Sequence, residues 1–325
     1  LANELLQAVA SLQHLRKLYS PAESMNCLSV GAAHTDASEA EAPVGHLDPY
    51  GACSLPSPIS AVGLGYKRGI KPDLLAPGGR CPVELIEGED GRAALTPYRQ
   101  CLAPGVQVAS PSPQQGNLRG ASFARGTSVA CAFASHWATK FYDVLSDLRE
   151  QDLDTIDLIP RALWLKALLV HSSVWSEPYD ALAAALRDEG NSRNFREVGA
   201  RFLGYGHLEA GRGVKCEMNR ATALGAGRIA AEEKRRHRFP LPPSLGGKRE
   251  WKQLTVTLAW FTPINSAHQA WRRAHLWFET AVDPLKVKRN GAEHRAMRRG
   301  TVQHEVYDGE TAAVFVDGDA ILIDV

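Results

Sequence analysis

A serine at the start of a long helical pattern carries the clearest chemical signal in this chain. Gly126-Thr127-Ser128-Val129-Ala130 leads into an amphipathic stretch that extends to Leu148. A serine in the first turn of a helix lies among unpaired backbone N–H groups at the positive end of the helix dipole. Its own N–H can hold the oxyanion that forms when its hydroxyl attacks a carbonyl. Gly126 lets a substrate backbone come close. The plainer alternative is a helix N-cap at Thr127 or Ser128.

A serine hydroxyl needs a partner to become a nucleophile. It requires an imidazole base within hydrogen-bond reach, and a carboxylate must orient that base. The nearest candidate in the sequence is His136, two turns along the same helix, where it points the wrong way to reach Ser128.

The surrounding periodicity predicts the elements that hold Ser128. Helices are predicted over residues 4–19, 129–148, 160–171 and 178–188, and strands over 27–33 and 70–76. Residues 36–69, 80–119 and 189–201 are predicted to be loops, with a hairpin pairing 99–102 and 106–108 inside the second of them. Beyond residue 225, strands are predicted over 254–260, 276–282, 302–306, 312–316 and 320–325.

Five segments, in order, resemble motifs of the subtilisin-like serine proteases, the subtilases. Cys27-Leu28-Ser29-Val30-Gly31-Ala32, preceded by Pro21-Ala22, is similar to the strand that usually ends in Val-Gly-Ala. Residues 69–79 contain Lys-Pro-Asp-Leu-Leu-Ala-Pro-Gly, and Arg125–Ala130 resembles the nucleophile motif. Residues 165–172 are similar to the helix after the nucleophile helix, and Gly204-Tyr205-Gly206 resembles the closing motif.

The resemblance implies both a fold and a division of the chain. Residues 1–225 are expected to form the C-terminal portion of an α/β, three-layer subtilisin-like domain with a parallel sheet. Residues 226–325 are expected to form a small β-sandwich-like domain. Subtilases place Asp, His and Ser in that chain order. Neither an Asp-x-Gly nor a His-Gly-Thr setting precedes the strand region, so the catalytic Asp and His are expected upstream of this chain.

The same resemblance assigns site residues. Ser128 is the implied nucleophile, and Gly126 and Thr127 are implied substrate-binding positions. Asn3, within Leu1-Ala2-Asn3-Glu4, is an implied oxyanion-hole residue, although an Asn that caps a helix beginning near Glu4 is an equal alternative. His136, His171 and His207 are expected to be hydrogen-bonded structural histidines. The family usually has Pro where this chain has Cys131-Ala132, a departure that bears on efficiency.

Three functions remain open at this stage. The first is a serine endopeptidase that hydrolyses protein or peptide substrates through an acyl-enzyme on Ser128, with little activity from this chain alone. The second is a non-catalytic subtilase-like module that binds a peptide or partner. The third is one half of a two-chain protease whose N-terminal half supplies Asp and His. Catalysis is expected to need no cofactor. The resemblance implies that a structural Ca²⁺ is possible, but the sequence assigns no ligands to it.

Composition excludes several other classes. The net charge of +1 predicts no general attraction to nucleic acid or membrane, and no run of eighteen apolar residues suggests a transmembrane helix. The basic run at 286–289 lacks interleaved aromatics, which favours a solvated turn over a nucleic-acid site. The six cysteines form no zinc-ligand spacing, and Cys27 and Cys131 fall on positions predicted to be buried. Free thiols are favoured over disulfides, which slightly favours a cytoplasmic over a secreted location.

Overall fold

The computed structural model describes residues 1–51, 53–88, 93–112, 116–150, 154–187, 192–214, 220–241, 246–282, 285–292, 294–314 and 319–325. Its helices are α1 (Ala2–Ser11), α2 (Thr127–Glu150), α3 (Arg161–His171), α4 (Glu177–Leu186), α5 (Ser192–Leu203), α6 (Gly211–Val214) and α7 (His294–Met297). Short 3-10 turns span Gln13–Leu15, Tyr66–Arg68 and Asp154–Leu158.

The strands of the first two-thirds of the chain are short. They are β1 (Val30–Ala33), β2 (Leu74–Pro77), β3 (Val83–Glu87), β4 (Ala93–Pro97), β5 (Val106–Ser110), β6 (Gly120–Ala124), β7 (Ser173–Val174) and β8 (His207–Leu208). The remaining strands are β9 (Arg236–Pro240), β10 (Lys252–Ala259), β11 (Glu279–Ala281), β12 (Lys288–Asn290), β13 (Val302–Gly309) and β14 (Ala320–Asp324).

The chain divides into two compact units. Unit 1 comprises Leu1–Trp137 and Ser173–Leu208, and unit 2 comprises Ala138–Ser172 and Glu209–Val325. Unit 1 contains a four-stranded mixed sheet of order β1-β2-β8-β7, in which β1, β2 and β8 run parallel and β7 is antiparallel to β8. The mixed α/β architecture and its parallel pairing agree with the fold class predicted from the sequence.

The core of unit 1 explains which residues form its elements. Side chains from α1, β2, α4 and α5 meet in one apolar cluster that includes Leu6, Leu75, Leu182 and Leu203. Burying each such side chain stabilises the fold by about 1.5–3 kcal/mol. The apolar periodicity that predicts helices near α1 and α4 therefore reflects side chains that are buried in this core.

Unit 2 is built on two antiparallel sheets of three strands each. Their orders are β10-β13-β12 and β11-β14-β9. Val256 of β10 and Ile321 and Ile323 of β14 belong to the same apolar cluster, so both sheets contribute to one core. Helix α3 belongs to this unit, and its Lys166 Nζ donates to Thr301 Oγ1 at 2.7 Å.

Several predicted boundaries are wrong at the N-terminal end. The first helix ends at Ser11 and not at residue 19, because the chain turns so that the Arg16 carbonyl accepts the N–H of Val62. The predicted strand 27–33 begins only at Val30, and the strand predicted at 70–76 is Leu74–Pro77. Cys27 precedes the strand and is exposed, so its predicted burial is wrong.

The predicted hairpin is also wrong in its pairing. Val106–Ser110 is a strand, but its partner is Gly120–Ala124 and not residues 99–102. A second hairpin pairs Val83–Glu87 with Ala93–Pro97. Residues 99–102 form no strand, because side-chain donors take up the carbonyls of Gln100 and Leu102.

Other predicted helices, and the predicted strands near the C-terminal end, also differ from those observed. The predicted 189–201 loop contains α5, because Phe195, Phe202 and Leu203 bury an apolar face that the polar composition masks. Cys131 lies on the exposed side of α2, which corrects its predicted burial. Of 276–282 only Glu279–Ala281 is a strand, and residues 312–314 are not one. Residues 315 and 316 lie outside the described part of the chain, as does the end of the predicted helix 178–188.

Candidate active site

Ser128 lies in the first turn of α2, in unit 1. Thr127 and Ser128 are exposed, and Gly126 before them is buried with φ of +118°. Gly126 accepts the N–H groups of Val129 at 3.1 Å and Ala130 at 3.3 Å. Within the described ranges, the backbone N–H groups of Thr127 and Ser128 donate to no acceptor, and the Ser128 hydroxyl has no hydrogen-bond partner. This helix start therefore presents unpaired donors and a free hydroxyl to solvent.

A glycine pair fixes this turn to the central sheet. The Gly126 N–H donates to the Gly78 carbonyl at 2.7 Å, and the Gly78 N–H donates to Ala33, the last residue of β1, at 3.0 Å. A Cβ at Gly78 would lie 2.5 Å from the Ala32 Cβ, so only glycine permits this approach. The Ala-Pro-Gly segment recognised in the sequence thus joins β1 to the residues before Ser128.

A buried ion pair holds the segment that leads into β2. Lys71 Nζ contacts Asp73 Oδ2, and both side chains are 5% exposed. The same carboxylate accepts the Ser29 N–H at 2.7 Å. Because Ser29 directly precedes β1, the Lys-Pro-Asp motif fastens β2 to β1, and its role here is structural.

Arg125 is a residue that sequence reasoning missed. Its Nε donates to the Pro104 carbonyl at 2.8 Å and the Arg80 carbonyl at 3.1 Å, and its Nη1 donates to Gln100 at 2.8 Å. Its Nη2 contacts the carbonyls of Leu102 and Pro104. The guanidinium also lies 5.0 Å from the centre of the Tyr98 ring. Arg125, three residues before Ser128, thus anchors the 98–104 loop through its side chain.

The only sequence signal for Arg125 was its place next to the glycine of the motif. A fork of five N–H donors suits several carbonyls at once. The carbonyls that it collects come from a segment whose structure periodicity cannot predict, so no pattern in the sequence pairs them with Arg125.

A His–Asp pair begins at the residue that directly follows β1. His34 Nε2 bonds Asp48 Oδ1 at 2.8 Å, and His34 Nδ1 accepts the Cys81 N–H at 3.1 Å. The backbone donor fixes the proton on Nε2 and uses the only lone pair of the neutral ring. His34 is 1% exposed. This pair therefore has the composition of a base and its orienting acid, but no nitrogen is free to accept a serine proton.

A cavity of about 310 Å³ borders the pair. Its lining residues are His34, Thr35, Asp36, Asp48, Gly51 and Arg80. Burial alone would raise the pKa of Asp48, but the hydrogen bond from His34 and those from the backbone N–H groups of Tyr50 and Gly51 lower it to about 2. The Arg80 guanidinium donates to the carboxylates of Asp36 and Asp48. It also donates to the carbonyls of Ser38 and Ala40, so the charges that line the cavity are largely paired with one another.

The other predicted histidines differ in their surroundings. His171 donates to or accepts from Thr257 Oγ1 at 3.1 Å, and burial, with the charge of Arg212, lowers its pKa to about 4. Burial likewise lowers the pKa of His207 to about 4, although its Nε2 has no partner among the described residues. His136 is exposed, with its ring 5.9 Å from that of Trp137, and within the described ranges no hydrogen bond of the predicted kind holds it.

Asn3 lies inside the first turn of α1 and is exposed. The N-cap is Leu1, and no side chain caps the helix, so the predicted capping role of Asn3 is wrong. Within the described parts of the chain, no hydrogen bond joins Asn3 to Ser128. Its oxyanion-hole role remains a prediction.

Neither a membrane-spanning helix nor a metal cluster is found among the residues with described positions. No helix there has the length and apolar character to cross a bilayer. No group of three or more His, Cys, Asp or Glu side chains there is arranged to hold a metal ion. Five cysteines, Cys27, Cys53, Cys81, Cys101 and Cys131, are free thiols, as the sequence predicts for them. Cys216 lies outside the described residues.

Comparison with known proteins agrees with the resemblance drawn from the motifs. The model of the subtilase family matches residues 3–206, which is more than half of the chain. The match covers Ser128, the Lys-Pro-Asp segment and three of the four strands of the unit 1 sheet, β1, β2 and β7. A comparison with curated proteins gives no match. The chain belongs to the subtilase family, a family of serine-type hydrolases.

Proposed function

We propose that this chain carries the nucleophile of a serine endopeptidase. The observation that supports this most is the free Ser128 hydroxyl at an exposed helix start whose backbone donors are unpaired. A structural helix start satisfies such donors with a cap, whereas a catalytic one keeps them for the substrate.

The proposed reaction proceeds through an acyl-enzyme. An imidazole base takes the Ser128 proton while Oγ forms a bond to the scissile carbonyl carbon. The oxyanion is held by the Ser128 N–H and, as a second donor, by the Asn3 side chain. The tetrahedral intermediate collapses, the C–N bond breaks, and the imidazolium gives its proton to the leaving amine. Water then releases the acyl group by the same steps. The backbone at Gly126 and Thr127 lines the substrate cleft.

The base and its orienting acid come from outside this chain under the proposal. His34 has both nitrogens engaged, and the low pKa values of His171 and His207 reflect burial away from water. The catalytic Asp and His are therefore expected upstream of Leu1, and the chain alone is expected to have little activity.

Two alternatives remain, and each has its own signature. A non-catalytic peptide- or partner-binding module would bind peptides without any reaction at Ser128. One half of a two-chain protease would gain activity when a separate N-terminal half supplies Asp and His. The exposed, unpaired donors of α2 favour a catalytic role over the binding module.

The finer architecture is part of the same proposal. Residues 1–225 would form the C-terminal portion of a three-layer subtilisin-like domain, and residues 226–325 a small β-sandwich. The two three-stranded sheets that share one apolar cluster support the second assignment.

The test is peptide-bond hydrolysis by the product of the complete reading frame. Ser128→Ala should lower kcat by about 10⁴-fold or more, since removing a serine nucleophile has effects of this order. Ser135→Ala changes an exposed serine on the same helix and is the matched control, with activity within about twofold of the parent. Unchanged hydrolysis by a folded Ser128→Ala protein would overturn the proposal.

A further inference from the structure

A long exposed loop in unit 2 folds back on itself after β10. The Asn265 N–H donates to the Trp271 carbonyl at 2.9 Å, and the Ala274 N–H donates to Thr262 Oγ1 at 2.7 Å. An isolated antiparallel bridge pairs Ile264 with Arg272 between these two contacts. The loop is therefore a defined two-limbed structure and can present side chains in fixed positions.

Arginine contacts fix this loop to the segment after α7. Arg272 Nη1 donates to the carbonyls of Arg298 and Gly300, each at 2.8 Å. The Arg272 guanidinium lies 4.3 Å from the centre of a Trp271 ring, and that of Arg298 lies 5.0 Å from Trp277. These residues are contiguous, and we call Ile264, Trp271, Arg272, Trp277 and Arg298 the arginine–tryptophan face.

The face combines accessible apolar area with positive charge. Trp277 is 42% exposed and Ile264 is 39% exposed, and Arg273 beside Arg272 is also exposed. Residues 262–300 contain eight Lys and Arg against three acids, so this segment is positively charged although the whole chain is near neutral. Burial lowers the pKa of His275, and the charges of Arg272 and Arg298 lower it further. The charges of Arg272 and Arg298 therefore both act on the His275 ring.

A guanidinium lies over each of the two indoles and occupies one face of the ring. Arg298 lies over Trp277, and the His275 ring lies 5.5 Å from the same indole. Base stacking on single-stranded nucleic acid needs an uncovered aromatic face. Within the described part of the chain, the side chains of Arg273 and Arg298 donate to no acceptor; Arg273 is exposed, and Arg298 is partly exposed although its Nε is buried. Guanidinium donors without acceptors match carboxylates, and neighbouring apolar side chains match apolar residues.

We propose that the arginine–tryptophan face binds an acidic segment of a polypeptide, whose carboxylates pair with Arg298 and Arg273 and whose apolar side chains contact Trp277 and Ile264. The surface lies in unit 2 and is distinct from Ser128. It gives the protein a means of holding one protein partner by charge as well as by apolar contact. Binding of this kind weakens as salt rises, because exposed charges are screened.

The test is fluorescence anisotropy with a labelled synthetic peptide of Glu and Leu, measured on the 325-residue chain with Ser128→Ala. That background prevents cleavage, so the result does not depend on the proposed protease activity. The double variant Arg273→Glu, Arg298→Gln should weaken binding about tenfold or more, since charge-assisted hydrogen bonds are lost. Arg228→Glu makes a similar charge change at an exposed arginine elsewhere and should stay within about twofold of the parent.

A second readout reports on the face itself. Carboxylates bound beside Arg272 and Arg298 offset their charges, so the pKa of His275 should rise in NMR titrations when the Glu-Leu peptide is added. Equal binding of a Lys-Leu peptide, or unchanged binding by the double variant, would overturn the proposal. Binding of oligothymidine in place of the Glu-Leu peptide would overturn it in favour of nucleic acid.

Discussion

Two parts of unit 1 contain the residue types of serine-protease chemistry, and they differ in what is left free. The start of α2 has an exposed Ser128 hydroxyl and unpaired backbone donors. The His34–Asp48 pair has a buried ring with a partner on each nitrogen. Residue type alone would mark both as candidates. The difference shows that a free lone pair or N–H, and access to it, separates a reactive site from a structural one.

The largest effect outside Ser128 itself is expected at Arg125. In the product of the complete reading frame, Arg125→Ala should lower kcat/KM about 100-fold, because the 98–104 loop and the turn before Ser128 lose their common anchor. Peptide hydrolysis measures this, with exposed Arg119→Ala as the control. Arg125→Lys should restore little, since an ammonium cannot reach several carbonyls in one plane. Unchanged activity in Arg125→Ala would show that the Ser128 site does not need the Arg125 anchor.

A substitution in the His34–Asp48 pair should change the stability of the protein and not its catalysis. Asp48→Asn should lower the free energy of unfolding by about 1–2 kcal/mol, since Arg80 and His34 lose a charged partner. Urea denaturation measures the loss, and kcat should change only a few-fold. Loss of activity in a protein that remains folded would contradict the comparison and assign the pair to catalysis.

The pH dependence of stability tests the same carboxylate. The folded-state pKa of Asp48 is lowered from 3.8 to about 2, so its contribution is complete above pH 4 and is lost as pH falls towards 2. Allowing for solvent screening at a partly open cavity, about 1–2 kcal/mol should disappear over this window. Parallel urea titrations of the parent and Asp48→Asn should converge at the acid end. Equal slopes in both proteins would contradict the assignment.

A stability effect of comparable size is expected at Gly126. Gly126→Ala places a Cβ where φ is +118°, a region that alanine rarely adopts, while the nearest side-chain atom, Ile59 Cδ1, is 3.6 Å from it. The cost is therefore backbone strain of about 1–3 kcal/mol and not a steric clash. Thermal unfolding would detect it. A gain in stability would mean that the turn before Ser128 relaxes without the glycine conformation.

The sequence predicted the fold best where a motif or a strong apolar face was present. Helix α2 and strands β10, β13 and β14 lie close to their predicted positions because their apolar residues recur at helical or strand spacing. Helix α5 was missed because its polar residues dominate the composition, while Phe195 and Phe202 bury only one face. Strand β5 was predicted, but its partner β6 was not, since register depends on tertiary contacts.

The candidate site could be predicted only in part. Ser128 is marked by a local motif, so sequence reasoning finds it. The carbonyl bonds of Arg125 and the pairing of His34 with Asp48 join residues that lie far apart in sequence or in loops without periodicity. A motif also says little about solvent exposure: Cys27 and Cys131 were predicted to be buried, and both are exposed.

The most direct test of the central claim is labelling with a fluorophosphonate probe followed by peptide mapping. The probe reacts with a serine activated by a neighbouring base, and the product of the complete reading frame is the protein to use. We expect the label on Ser128 alone, lost in Ser128→Ala and retained in Ser135→Ala. Absence of label from Ser128 in a protein that hydrolyses peptides, or a label on another serine, would contradict the account.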